Sequence, residues 1–531
     1  MIWKAFQDEW ILYRDDDIIV VNKPYNMPEV ACFGGFDASL TARLKAHLIE
    51  ATELAEGDAN LAVVSSMDAS ASGLTVVALH KSAQDAIAKA AKKQGVRVRC
   101  VAVVSTGWRP KRARVLSTCG RRQMIELELD SGGLEELRAQ LALHKSPIVG
   151  DETHSGQPAS RLMLHASHVM LKHPMTGKLL AFETALPEDL HKALHIAVGA
   201  STSESGELPA VIERAAHRRW GLWQSRHHAV PTTAFRLLNG AGDGFDGLAL
   251  DVYGEWLVVH CYASGPAGLD PDILRHLQGL GFRGIYVKNH PKQANTVVDA
   301  EAAGLAPSAP VWGEPAPEWL QVHEHGVPFL VRLADGLATG LYLDQRQSRQ
   351  RVRTIAGDKS VLNLFAYTCA FGVAAGLGDA ELVVNVDVSK RALAWGRRNL
   401  TLAAVAMDGQ RFIQDDAFKV MEKYGRQGRR FDLVILDPPT YARTRRSRFS
   451  VASDYPKLLH AALSLVAPRG TLIACSNFSG MSLAGLRRRV QEVAKAMEIA
   501  QYRVRDCPTG VDFPGPWGQG PQLKAVEVQL G

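Results

Sequence analysis

Short apolar runs recur along the whole chain, and the segments between them change in character from one end to the other. In roughly the first 195 residues, runs such as 18–21 and 101–104 are bounded by polar or turn residues, which is typical of strands. Beyond about residue 320, apolar runs such as 361–365 and 382–386 alternate with helical segments such as 389–401. This alternation predicts βαβ units and a parallel, doubly wound sheet. We therefore expect a multidomain α+β and α/β protein, in which a mixed β-rich domain precedes a Rossmann-like domain.

Two changes in composition divide the chain further. Residues 199–206 are small and polar, as in a flexible linker, and four prolines between Pro307 and Pro317 exclude regular secondary structure. The length of 531 residues also calls for several folded units. The predicted segments are a first domain at 1–195, a linker and helix at 196–230, a middle domain at 231–320, and the Rossmann-like domain at 321–531.

Composition excludes several classes of protein. With 46% hydrophobic and 22% charged residues, large buried cores are possible and global disorder is not expected. The sequence has no run of eighteen apolar residues, so no membrane span is predicted. The first residues lack the pattern of a signal peptide, and we therefore expect a cytoplasmic protein. Seven scattered cysteines predict neither a disulfide framework nor structural zinc, and no metal site is expected from the histidine spacing. The net charge of +6 permits an RNA partner without requiring one.

Aspartates follow three successive strands of the predicted parallel sheet, at Asp387, Asp416 and Asp437. Ligands bind at the carboxyl ends of such strands, although an aspartate there is often just a helix N-cap. The first loop, 365–372, lacks the Gly-x-Gly-x-x-Gly pattern that binds a dinucleotide pyrophosphate. A cofactor with a nucleoside but no phosphate fits better, and we expect S-adenosylmethionine.

Several motifs occur in order between residues 232 and 480: Arg236–Gly254, Thr339–Arg346, Leu362–Thr368, Asp387, Asp416–Phe418 and Asp437–Pro439. On these motifs, this part of the chain resembles the RlmI-type class I methyltransferases of ribosomal RNA. The chain departs from the family at Ala338, where a lysine is usual, and at Cys369 and Ala370, where glycines are usual. The resemblance implies a hairpin-containing insert at 231–320, S-adenosylmethionine as cofactor and large-subunit ribosomal RNA as partner. It also implies the cofactor-binding residues, which are Gln345, Arg346, Phe365, Tyr367, Thr368, Asp387, Asp416 and Asp437.

The same resemblance implies methylation of carbon-5 of cytosine, for which a cysteine thiolate must first attack carbon-6. Cys475 matches the family's Cys-Ser motif, and Asp437 would lie beside the target base. However, Asp437–Tyr441 and Ser476–Asn477 also resemble a relative that methylates N7 of guanine, where no cysteine is needed. Arginines beyond the Asp-Pro-Pro motif, and in the runs 346–353 and 487–489, are candidates for phosphate contacts. The RNA-binding residues that we predict are Arg443, Arg445 and Arg446.

The first 190 residues contain a second set of ordered motifs, namely Ile11–Pro24, Pro147–Asp151, Arg161–Ala166, His173–Gly177 and Leu186–Pro187. On these motifs they resemble the RluA-type pseudouridine synthases, whose catalytic aspartate would be Asp68. The arginine expected to pair with it is Ser66, and the position of the base-stacking tyrosine holds Cys100. Glu135 and Glu136 replace polar residues that would face RNA, and carboxylates repel phosphates. We therefore expect a degenerate domain. An active synthase working through Asp68, or a non-catalytic RNA-binding protein of ribosome assembly, is the alternative, and the sequence does not indicate an oligomeric state.

Overall fold

The structure is a computed structural model that describes most of the chain. The residues described are 6–25, 27, 29, 39–51, 61–64, 70–91, 95–105, 107, 113–128, 133–151, 154, 156–157, 159, 161–195, 204–219, 222, 232–262, 269–290, 304–443, 448–516 and 520–531. The chain forms two compact units, one built from 1–202 and 210–231 and the other from 203–209 and 232–531. Of the described helices, none is long and apolar enough to cross a membrane.

The first unit is organised around one large sheet. Its strands are β1 (Ile11–Arg14), β2 (Ile18–Lys23), β3 (Ala62–Val63), β4 (Ser72–Ala78), β5 (Val96–Ser105), β6 (Arg114–Cys119), β7 (Arg122–Glu128), β8 (Leu164–Lys172) and β9 (Leu179–Glu183). Its helices are α1 (Leu40–Glu50), α2 (Lys81–Ala91), α3 (Gly133–Leu143) and α4 (Glu188–His195), and α5 (Leu208–Arg218) has residues in both units. The sheet order is β1-β2-β4-β8-β5-β7-β6, with β3 on β4 and β9 on β8. Every pairing except that of β4 with β8 is antiparallel.

The second unit begins with a smaller sheet and a hairpin. The sheet contains β10 (Ala234–Asn239), β11 (Leu248–Tyr253), β12 (Trp256–Cys261), β13 (Gly284–Asn289) and β14 (Trp312–Gly313), and the hairpin contains β15 (Leu320–Glu324) and β16 (Val327–Val331). Helix α6 (Pro271–Gln278) connects β12 to β13, which pair in parallel, as expected for a crossover connection. The strands follow one another in chain order across the sheet.

A seven-stranded sheet forms the rest of the second unit. Its strands are β17 (Ser360–Leu364), β18 (Leu382–Asp387), β19 (Gln410–Gln414), β20 (Phe431–Leu436), β23 (Val466–Ser476), β24 (Tyr502–Asp506) and β25 (Lys524–Leu530), while β21 (Tyr441–Arg443) and β22 (Arg448–Ser450) pair separately. Its helices are α7 (Arg346–Ile355), α8 (Ala370–Leu377), α9 (Lys390–Leu402), α10 (Ala417–Arg426), α11 (Val451–Leu463) and α12 (Leu483–Ala496). The order is β19-β18-β17-β20-β23-β25-β24, and only β25 runs against its neighbours.

This sheet has apolar side chains on both faces, which explains the continuous apolar runs of its strands. Leu362 and Val434 belong to one core, whereas Val361 and Ile435 belong to the core on the opposite face. Strand order reverses between β17 and β20, so the fold opens a crevice at the carboxyl ends of these strands. The predicted fold class, a β-rich mixed domain followed by a Rossmann-like methyltransferase domain, is confirmed. The finer segment boundaries at 195, 230 and 320 remain predictions.

Candidate active site

A cleft of about 1220 Å³ lies in the second unit at the carboxyl ends of β17, β18 and β20. It is larger than the roughly 300–1,000 Å³ typical of a site for one drug-sized ligand, so it has room for a cofactor and part of a substrate. Seven of the eight predicted cofactor residues line it. Six of these lie at or shortly after the ends of β17, β18, β19 and β20: Phe365, Tyr367, Thr368, Asp387, Asp416 and Asp437. Gln345 lines it from the start of α7, and Arg346 is not among the lining residues.

The loop after β17 has an unusual backbone. Phe365, Tyr367 and Cys369 have φ angles of +58°, +47° and +58°, a left-handed conformation that costs non-glycine residues of the order of 1 kcal/mol each. Cys369 occupies a position where the family has glycine, and this φ angle explains that preference. The Tyr367 amide donates a hydrogen bond to Asp387 Oδ2 at 2.8 Å, and such bonds hold the loop in this conformation.

Asp387 ties two cleft loops together at the end of β18. Besides the Tyr367 amide, its carboxylate accepts a hydrogen bond from the Ser389 amide, 2.8 Å from Oδ1. A carboxylate with further lone pairs that faces a cleft can accept hydrogen bonds from ribose hydroxyls. Asp416 has two roles, since it caps α10 through the Phe418 amide at 2.9 Å and also lines the cleft.

The other end of the cleft carries the most perturbed carboxyl group. Burial, and then the neighbouring carboxylate of Asp344, raise the pKa of Asp437 to about 7. Asn477 and the exposed ring of Tyr342 line the same cleft. The Gln345 side chain hydrogen-bonds the Asp437 carboxyl group, and the buried Asn477 Oδ1 has no hydrogen-bond partner. Since buried polar atoms are rarely left unpaired, Asn477 Oδ1 is available to a donor atom of a ligand.

Arg346 and Arg349 lie side by side at the start of α7 and both pair with buried carboxylates. Arg346 forms an ion pair with Asp512, and both side chains are fully buried. Arg349 donates to Glu324 through Nε at 2.8 Å and also lines the cleft. Arg346 therefore stabilises the segment Thr339–Arg346 without lining the cleft, whereas the positively charged side chain of Arg349 lines the cleft.

Cys475 lies outside the cleft lining. Its side chain is fully buried and belongs to the apolar core that contains Ile473, on one face of β23. Its Sγ is 3.8 Å from Oε1 of Gln345, a residue that lines the cleft. Burial, and then Asp437, raise the pKa of the thiol well above its ordinary value, which disfavours the thiolate.

Two arginines of the predicted runs, Arg351 and Arg487, pair with carboxylates of the protein. Arg351 donates to Glu527 at 2.6 Å and Arg487 donates to Asp506 at 2.7 Å, so these side chains are occupied by carboxylates. Arg445 and Arg446 lie outside the described residues, and for Arg443 the backbone alone is described, as part of β21. The RNA-binding role of these three arginines stays a prediction.

In the first unit, Asp68, Ser66 and the Glu135 side chain lie outside the described residues, and Glu136 is exposed. Cys100 is buried in β5, and burial raises its pKa to about 12, so the position expected for a stacking aromatic ring holds a thiol in the core. Arg138 donates two hydrogen bonds to the buried Asp151, at 2.9 and 2.8 Å.

One group of described residues brings metal-ligand atoms together, namely Asp15, Asp17 and His173 in the first unit. His173 Nε2 lies 2.9 Å from Asp15 Oδ2, a distance at which the imidazole donates to the carboxylate. Tyr13 also donates to Asp15. These mutual hydrogen bonds satisfy the group within the protein.

Sequence reasoning did not single out Tyr342, which lines the cleft, or Asp344, which raises the pKa of Asp437. Both residues lie within the motif Thr339–Arg346, and membership of that motif was the signal that could have identified them. The buried partners Glu324 and Asp512 carried no such signal.

Comparison with known proteins agrees with this geometry. A family model described as S-adenosylmethionine-dependent methyltransferase matches residues 303–511. A ribosomal RNA large subunit methyltransferase I from Aeromonas salmonicida is 34% identical over 305 residues, which are 56% of this chain and 74% of the relative. The chain belongs to this methyltransferase family. The enzyme's cofactor is accordingly S-adenosylmethionine.

Two solved structures are each similar to a part of this protein. One, described as "a putative methyltransferase complexed with SAH", is 25% identical, with 68% of this chain and 88% of the other covered and a TM-score of 0.53. The other, human RNA pseudouridylate synthase domain containing 4, is 18% identical, with 35% of this chain and 92% of the other covered and a TM-score of 0.29.

The residues in the cleft fit S-adenosylmethionine. Asp387, Asp416 and Phe418 all line the cleft, and the assignment of Asp387 to the ribose and of Asp416 to the adenine stays a prediction. Asn477 Oδ1, a buried atom without a hydrogen-bond partner, is available as an acceptor for a donor atom of the ligand. When bound, S-adenosylmethionine supplies an electrophilic methyl group attached to a positively charged sulfur.

Proposed function

We propose that this chain methylates a base of large-subunit ribosomal RNA, and that the methyl acceptor is a ring nitrogen such as N7 of guanine. The RNA substrate is supported by the family's ribosomal RNA enzymes. A ribosomal RNA substrate also implies that the protein acts in the cytoplasm.

The position of the Cys475 thiol is the observation that carries the choice of acceptor. Carbon-5 of cytosine becomes nucleophilic after a thiolate attacks carbon-6, so that reaction needs a thiolate in contact with the base. Cys475 is fully buried in an apolar core and is not among the residues that line the cleft. A guanine N7 carries its own lone pair and needs no such nucleophile.

Asp437 is the group best placed to bind and orient the base. Its ionised carboxylate can accept hydrogen bonds from the N1–H and amino group of guanine, and its negative charge stabilises the positive charge that develops when N7 becomes methylated. Pro438 and Pro439 line the cleft beside it and have no backbone N–H to compete for the carboxylate. Asn477 adds an unpartnered acceptor, Oδ1, on the same cleft.

Product analysis of two variants tests this proposal. Ribosomal RNA from cells lacking the gene is incubated with enzyme and S-adenosylmethionine, and its nucleosides are identified by mass spectrometry. We expect 7-methylguanosine from the wild type, activity within about threefold of wild type for Cys475→Ala, and a loss of about 100-fold for Asp437→Asn with cofactor binding retained. Cys507→Ala is the matched control, because Cys507 is a second thiol in the same apolar core.

Other outcomes would identify a different function. Formation of 5-methylcytosine that is abolished by Cys475→Ala would replace ring-nitrogen transfer with the cysteine mechanism. Absence of cofactor binding at millimolar S-adenosylmethionine would favour a non-catalytic RNA-binding role. Pseudouridine that disappears on Asp68→Ala would show that the first unit is an active synthase.

A further inference from the structure

The side chains of Tyr262 and His290 form a stacked aromatic pair beside the five-stranded sheet β10–β14. Neither residue is among those that line the cleft. Tyr262 directly follows β12 and His290 directly follows β13, and these two strands are neighbours in parallel register. Their ring centroids are 4.6 Å apart and the ring planes are 20° from parallel. Two backbone hydrogen bonds hold the positions, from the His290 amide to the Cys261 carbonyl at 2.8 Å and from the Tyr262 amide to the Gly247 carbonyl at 2.8 Å.

A buried network behind the pair fixes its geometry. His290 Nε2 lies 2.9 Å from His260 Nδ1, and His260 Nε2 lies 3.0 Å from Asp251 Oδ2. Arg236 donates to the same carboxylate at 2.7 and 3.0 Å. Burial, and then His260, lower the pKa of His290 to about 4, so its imidazole is neutral near pH 7. The pair is therefore rigid and uncharged.

Tyr262 is partly exposed to solvent. The residue is 47% exposed, and the described exposed large apolar residues of the second unit include one other aromatic residue, Tyr342 in the cleft. A rigid, exposed aromatic face is what proteins use to stack unpaired nucleic-acid bases, because every base has a π-face.

Hydrogen bonds link the network behind the pair to the segment that lines the cleft. The Arg236 amide donates to Asp512 at 3.2 Å, and Asp512 pairs with Arg346, the chain neighbour of Gln345 in the cleft lining. In agreement with this link, the charge of Asp344 contributes to the raised pKa of both Tyr262 and Asp437.

We propose that Tyr262, supported by His290, is a stacking platform for an unpaired base of the RNA substrate, next to the base that is methylated. This inference rests on the proposed function in that it takes RNA as the substrate. The platform holds the strand that carries the target base and takes no part in methyl transfer.

The test compares Tyr262→Ala, Tyr262→Phe and Tyr262→Leu in the full-length enzyme. With deproteinised ribosomal RNA, we expect the KM for RNA to rise about 5- to 100-fold for the alanine and leucine variants and to stay within threefold for phenylalanine, which keeps the ring. We expect kcat at saturating RNA and the Kd for S-adenosylmethionine to be unchanged. The salt dependence of RNA binding should keep its slope, because stacking releases no counterions.

Met407→Ala is the control, since Met407 is exposed and precedes β19, at the end of the sheet opposite the cleft.

Two outcomes would overturn the platform: an alanine variant with wild-type KM for RNA, or a variant in which kcat falls while KM stays constant. Failure of the proposed function can be distinguished from failure of the platform. If the wild type transfers no methyl group to ribosomal RNA, binding of single-stranded RNA by wild type and Tyr262→Leu still decides whether the ring holds a base. Tyr262→Leu keeps apolar bulk, so it also serves if the alanine variant does not fold.

Discussion

Two aspartates, one in each unit, illustrate how the same side chain comes to serve different purposes. Burial would raise the pKa of Asp151, but the hydrogen bonds and charge of Arg138 outweigh burial and lower it. Asp437 has no arginine bonded to it in this way, and burial together with Asp344 raises its pKa to about 7. A carboxylate satisfied by its own protein stabilises the fold, whereas one left in an unfavourable environment beside a cleft can bind a ligand.

The largest expected effect concerns the buried ion pair of Arg138 and Asp151. Arg138→Leu leaves the Asp151 carboxylate buried without its main partner, so the free energy of unfolding should fall by about 3–5 kcal/mol. Denaturant unfolding of the full-length protein measures this change. Arg97→Leu is the matched control, because its pair with Glu128 is exposed and should cost less than about 1 kcal/mol. Equal losses for the two variants would remove the distinction drawn between the two aspartates.

The next effect concerns the cofactor. Asp387→Ala removes a carboxylate that holds two loop amides and can bind the ribose, so the Kd for S-adenosylmethionine should rise about 10- to 100-fold. Isothermal titration calorimetry measures it. Asp408→Ala, at an exposed aspartate that precedes β19, should bind the cofactor like wild type. Wild-type affinity in the Asp387 variant would mean that this carboxylate is structural, like Asp151.

The smallest effect is a pH dependence. Since the pKa of Asp437 is raised to about 7 and the base needs the ionised carboxylate, kcat/KM for RNA should increase with pH and gain about tenfold between pH 6 and pH 8. The residual activity of Asp437→Asn should lose this dependence. A flat wild-type profile over that interval would contradict the assigned role of the carboxylate.

The sequence predicted the cleft well because its residues come from short local motifs. Asp387, Asp416 and Asp437 each follow a strand, and a parallel sheet brings the carboxyl ends of its strands to one edge. The loop 365–369 was identified from its motif, but its left-handed backbone was not, because Phe365 and Tyr367 are not residues that signal a positive φ angle.

The partners of charged residues could not be predicted in the same way. Arg346 and Arg349 belong to a run of arginines that suggested phosphate contacts, yet they pair with Asp512 and Glu324, which are 166 and 25 residues away along the chain. The stacked pair of Tyr262 and His290 depends likewise on the parallel pairing of β12 and β13.

The sequence by itself determined the Rossmann-like fold, the class of cofactor and the strand ends that form the cleft, because apolar periodicity and turn residues act over a few positions. The tertiary structure alone decided which polar groups are satisfied and which are left for a ligand. It also decided where the Cys475 thiol points, because neighbouring residues of a strand face opposite sides of the sheet. Ile473 and Cys475 face one core while Leu472 and Ala474 face the other. A motif match cannot distinguish these faces, and the choice between them decides whether a thiol is available to the base.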